Sequence, residues 1–140
     1  MSEFMEIEFK NILTKPEYEQ LIKHFNLQPG NCFTQLNIYF DTKDNKLQKN
    51  KMALRTRILT NKIELTLKMP QLKGILETTD SINNEDLKKL LNEHQLIRGH
   101  VYQKLQSLNI NEQFYEIARF ETIRFEFSYL DNIIAIDKSV

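Results

Sequence analysis

Glu6-Ile7-Glu8-Phe9-Lys10, close to the start of this 140-residue chain, alternates charged and apolar side chains one for one. Side chains point to opposite faces along a strand, so Glu6, Glu8 and Lys10 share one face while Ile7 and Phe9 take the other. Two neighbouring carboxylates repel unless a cation sits between them, and a bound divalent metal is the usual one. Lys10, on the same row, is placed to orient an anionic ligand of that metal. A solvated face of an antiparallel sheet is the commoner explanation of these five residues taken alone.

Three later segments repeat the pattern. Arg55 and Arg57 share a face. Lys62, Glu64, Thr66 and Lys68 share another, backed by Ile63, Leu65 and Leu67. Arg124 and Glu126 form a further row. Strands of this kind closed into a barrel turn their charged rows towards one lumen and leave their apolar faces for helices outside. A lumen ringed by Arg and Lys, with carboxylates at one side, suits a polyanion plus a metal. Guanidinium forks match phosphate oxygens in pairs, and lysines add point charges.

The bulk composition leaves little else. One domain over residues 1–140 is the expectation for this length, with 41% apolar and 27% charged residues. Lys+Arg and Asp+Glu balance at 19 each, so no global field favours a nucleic-acid polymer or an anionic membrane. No apolar stretch is long enough to span a bilayer and no signal-peptide layout opens the chain, which makes the cytoplasm the expected location. Cys32 is the single cysteine, excluding an internal disulfide and a cysteine-rich zinc site. None of the 3 glycines falls in a phosphate-loop or dinucleotide spacing. His24, His94 and His100 are scattered without metal-ligand spacing.

Between the rows, Thr14 and Glu17 form a capping box ahead of a helix carrying Tyr18, Leu21, Ile22 and Phe25, which ends at Gln28-Pro29-Gly30. Strands are predicted at 35–41, 52–59 and 63–69, with a weaker one at 75–80 and a polar turn over 43–51. A helix is predicted over 84–97 with Asn84 as its cap, and a second over 101–108. Strands at 114–127 and 133–138 flank an Asp131-Asn132 turn. Strand, helix, strands, helices, strands defines an α+β chain with a mainly antiparallel sheet.

In this order the rows resemble the CYTH domain, or triphosphate tunnel metalloenzyme, family. Glu6, Glu8 and Lys10 match its N-terminal signature, and 37–42 resembles its second strand. Residues 53–57 are similar to its Leu-Arg-x-Arg strand, and 64–68 to its Thr-x-Lys strand. Glu77, Arg124 and the segment 135–139 fall where a later tunnel glutamate, a tunnel arginine and an acidic strand are found. The resemblance implies an antiparallel eight-stranded β-barrel with helices packed outside. It also implies metal-dependent cleavage or cyclisation of a triphosphate. By position, Arg55, Arg57, Lys68, Arg124 and Lys10 would grip phosphate oxygens. Glu6, Glu8, Asp137 and Glu77 would serve Mg2+ or Mn2+. Lys10 and Tyr39 would help activate water.

Family members continue into a further strand with a second Glu-x-Glu pair, whereas this sequence stops at Val140. The expectation is therefore an incomplete or open barrel that self-associates through a free edge. Hydrolysis of inorganic triphosphate or a small organic triphosphate leads the readings. A binding module that holds polyphosphate or nucleotide without turnover stands second, and a class IV adenylyl cyclase third.

Overall fold

A computed structural model describes residues 2–139. Seven strands form one antiparallel sheet: β1 (Ser2–Glu6), β2 (Cys32–Asp41), β3 (Ala53–Ile58), β4 (Ile63–Gln71), β5 (Gly74–Ile82), β6 (Tyr115–Tyr129) and β7 (Asn132–Ser139). Their spatial order is β1-β5-β4-β3-β2-β6-β7, with no pairing between β1 and β7. The sheet is nevertheless strongly curled, because Glu6 of the first edge and Asp137 of the last line the same cavity. The architecture is the expected α+β open barrel, with seven strands among the described residues where eight were implied.

Period-two alternation decides which side is which. Ile38, Phe40, Leu54, Leu65 and Leu67 all point to the convex side and are at most 2% exposed. There they meet Leu90 of α3 (Asn84–Glu93) and Val101 and Leu105 of α4 (His100–Ser107). Intervening residues point into the concave side, where Arg55 faces Thr66 and Arg57 faces Glu64 across β3 and β4. One residue of β6, Ile117, is skipped in the pairing with β2, a bulge that bends the long strand. The first helix, α1 (Lys15–His24), has the predicted capping box: the Glu17 amide donates to Thr14 Oγ1 at 3.3 Å and the Thr14 amide to Glu17 Oε1 at 2.8 Å. It reaches the sheet through Phe25, whose ring lies 4.8 Å from Phe127 and 5.3 Å from Tyr129.

The first strand differs from the prediction. It covers Ser2–Glu6 rather than 6–10, because its partner β5 begins at Gly74, opposite the end of β1. Beyond Glu6 there is nothing to pair with, so the chain leaves the sheet. Ile7 and Phe9 are 73% and 90% exposed, not covered by a helix as the alternation implied. Gly74 has φ +155°, and a Cβ there would lie 2.5 Å from the Glu6 carbonyl oxygen, so the close approach requires glycine.

The polar stretch 43–51 holds a short helix, α2 (Lys46–Lys49), that its sequence does not announce. Asp41 organises it. Its buried carboxylate accepts from the amides of Thr42 (2.7 Å), Leu47 (2.9 Å) and Gln48 (3.1 Å). Asp80 does the same for α4, accepting from the Val101 amide at 2.9 Å. The predicted 84–97 helix is shorter, capped by Asn83 rather than Asn84 and closed by His94 at φ +61°. The turn after β6 is Leu130-Asp131, both at positive φ, since Tyr129 pairs with Asn132. Replacing Asp41 by Ala orphans three amides at once. It should lower the unfolding free energy by about 2–4 kcal/mol in a urea titration.

Candidate active site

All seven strands contribute to a cavity of about 260 Å³ on the concave side. Every site residue predicted from the sequence lines it: Glu6, Glu8, Lys10, Tyr39, Arg55, Arg57, Lys68, Glu77, Arg124 and Asp137. Glu8 and Lys10 reach it from the extended segment after β1 rather than from the strand itself. The three histidines lie outside its lining. His94 stacks on Tyr115 with ring centres 4.1 Å apart, and His100 pairs with Asp80 at 3.0 Å.

The acidic side is built around an amine. Lys68 Nζ lies 3.2 Å from Glu6 Oε1, 3.5 Å from Glu77 Oε2 and 3.7 Å from Glu8 Oε2. Lys10 Nζ pairs with the other oxygen of Glu8 at 3.2 Å, not with Tyr39. Partial loss of water raises the Glu6 carboxyl, and a hydrogen bond with Glu8 raises it further, against the pull of Lys68. For Glu8 burial is again the largest influence and works upward. The hydrogen bond with Glu6 and the ammonium groups of Lys68 and Lys10 outweigh it and hold Glu8 low.

The basic side is only half neutralised. Arg124 forks onto Asp137, with Nε to Oδ1 at 2.7 Å and Nη2 to Oδ2 at 2.8 Å. That fork raises the Arg124 pKa. Arg57 has no carboxylate of its own and donates from Nε to Asn37 Oδ1 at 2.8 Å. Burial, then the positive charges of Arg55 and Arg124, bring its pKa down to about 10. Arg55 is 9% exposed, and its buried Nε has no partner. Gln35, 1% exposed with an unpartnered Nε2, lies in the same wall. Three guanidinium groups with one carboxylate fork between them, and two buried donors with nothing to donate to, form a cradle short of an anion.

The donor set also fits a hard divalent cation. Glu6, Glu8 and Glu77 offer only oxygen, and Glu77 Oε2 is buried without a hydrogen bond. Among the described residues no group of three His, Cys, Asp or Glu side chains is already gathered as a metal site. The glutamates are gathered about Lys68 instead. Sequence reasoning passed over Gln35, Asn37, Thr122 and Ser139 as site residues, although each lines the cavity. The signal lies in the spacing: Asn37, Thr122 and Ser139 each sit two residues along a row from a predicted site residue, and Gln35 sits four from Tyr39.

Arginines and carboxylates thus face one another across the lumen of a curled, open antiparallel barrel. The chain belongs to the CYTH domain family, whose model matches residues 5–140. It is 41% identical over 83 residues to the candidate triphosphatase YjbK of Bacillus subtilis, which covers 59% of this chain and 44% of that protein. A candidate adenylate cyclase from Bacillus halodurans superposes with a TM-score of 0.95 at 33% identity, covering 100% of this chain and 75% of that one. HpAC1 from Hippeastrum, an adenylyl cyclase candidate with a dominant triphosphatase activity, shares the fold at TM-score 0.72 and 18% identity, covering 91% of this chain and 69% of that one. The match to YjbK thus spans under half of that relative's length. No helix among the described residues is long and apolar enough to cross a membrane.

An uncompensated buried arginine destabilises the fold that holds it. Arg55→Met should raise unfolding free energy in anion-free buffer by about 1 kcal/mol or more. Tripolyphosphate should raise the melting temperature of the parent and leave that of the variant unchanged, both read by melting curves.

Proposed function

We propose that the tunnel hydrolyses a triphosphate, inorganic triphosphate or a small organic one, with the help of Mg2+ or Mn2+. The observation that carries this reading is the cluster of Arg55, Arg57 and Arg124, with its unpartnered Arg55 Nε, facing a carboxylate group across one lumen. The name of the Bacillus subtilis relative points the same way.

In this reading Arg55, Arg57, Arg124, Lys68 and Lys10 take the phosphate oxygens, and Glu6, Glu8, Glu77 and Asp137 hold the cation. When bound, the metal neutralises phosphate charge and favours water as a nucleophile. The chain's own contribution is positional. The guanidinium groups fix the phosphates in line and meet the negative charge that shifts onto the leaving diphosphate as the P–O bond breaks. Asn37 holds Arg57 in place through its side-chain oxygen. Tyr39, braced edge-on by Phe120 with ring centres 6.1 Å apart, and Lys10 are the groups proposed to position the attacking water.

Phosphate release from tripolyphosphate should require Mg2+ or Mn2+ and stop on chelation. Replacing Arg55 and Arg57 by Ala should abolish both turnover and anion binding; undiminished binding refutes the tunnel reading. Binding without release would make the domain a polyphosphate holder, and cyclic nucleotide formed from ATP would make it a cyclase. Tyr39→Phe should slow release without weakening binding, and an unchanged rate removes Tyr39 from the chemistry. Self-association through the free edges of β1 and β7 and a cytoplasmic location belong to the same proposal. A monomeric mass by light scattering overturns the former.

A further inference from the structure

We infer that Lys68 is a built-in stand-in cation that the metal must displace, so that metal binding releases this lysine to the phosphate. The inference rests on the metal-dependent reading above and specifies how its two ligands are coupled. Among the described residues, Lys68 Nζ is the only amine within 4 Å of Glu6, Glu77 and Glu8 together, at 3.2, 3.5 and 3.7 Å. An ammonium and a divalent ion compete for the same oxygens, and the stronger charge wins only by expelling the weaker.

The geometry leaves Lys68 somewhere to go. It stands on β4, next to β3, which carries Arg55 and Arg57, and its side chain lines the cavity that they face. Rotation of its flexible stem carries the amine from the carboxylates towards their side of the lumen. The contacts it abandons are salt bridges of 3.2 Å or longer in a group about one-fifth exposed. Glu77 Oε2, buried and without a hydrogen bond, shows that the lysine serves the carboxylates imperfectly. Without metal, an anion must draw Lys68 away from the carboxylates, and the carboxylates are withheld from any cation too weak to displace it. Each ligand removes the obstacle to the other, so metal and phosphate favour one another's binding reciprocally.

Two single-ligand titrations test this without metal–phosphate complexes in solution. Mn2+ alone, followed by electron paramagnetic resonance, should bind Lys68→Gln about tenfold tighter than the parent, because the competing charge is gone. Tripolyphosphate in chelator, followed by calorimetry, should bind Lys68→Gln more weakly. It should bind Glu77→Gln several-fold tighter, since Lys68 is then held by fewer carboxylates. Lys68→Arg keeps the charge and should not gain Mn2+ affinity, which separates charge removal from altered packing. Parent-like or weaker Mn2+ binding by Lys68→Gln overturns the exchange while leaving the metal site standing. Failure of every form, parent included, to bind Mn2+ overturns the metal reading and the exchange with it.

Discussion

The constraint on which this molecule depends is that its strands carry charge on one face and hydrocarbon on the other. A flat sheet of that kind would put Arg55, Arg57 and Lys68 into bulk water, where their grip on an anion is weakened by screening. Curling the sheet turns a decorated surface into an enclosed volume. The convex side is sealed by α3 and α4 against Leu54, Leu65 and Leu67, and the concave side collects the charges at a distance where they feel one another. The lowered pKa of Arg57, about 10, reflects its burial first and the nearby charges of Arg55 and Arg124 second. Affinity and strain therefore come from one geometric act.

Much of this was legible in the sequence because alternation is a local property. The row Glu64, Thr66, Lys68 and its apolar backing Ile63, Leu65, Leu67 face the two sides as their spacing demands. What escaped depends on partners distant in the chain. The limits of β1 are set by where β5 begins, so the first charged row divides between a strand end and an unpaired segment. The helix α2 is invisible in its own polar sequence because its amides are satisfied by Asp41, which lies outside it. Asp41 itself shares spacing with Gln35, Asn37 and Tyr39, yet caps a helix and takes no part in the cavity. Spacing assigns a face but not a destination.

The lumen is also asymmetric in how it handles its charges. Glu6, Glu8 and Glu77 share Lys68, which leaves the buried Glu77 Oε2 without a hydrogen bond, and Asp137 is forked by Arg124. The deficit falls on Arg55 and Arg57, which have only Asn37 between them. In a lumen whose carboxylates already face a cation while Arg55 and Arg57 pair with no carboxylate among the described residues, the uncompensated charge is positive.

Gly74 gives the site a weak point that lies outside the cavity lining. The backbone of Glu6 crosses it at a separation no side chain tolerates, and this crossing is where β1 ends and the segment bearing Glu8 and Lys10 begins. The bearing of that whole segment is thus set by one absent methyl group on another strand. A change at that hinge point re-aims an acid and a base together, leaving the buried core intact. The chemistry of the lumen can drift through that point while the scaffold stays as it is.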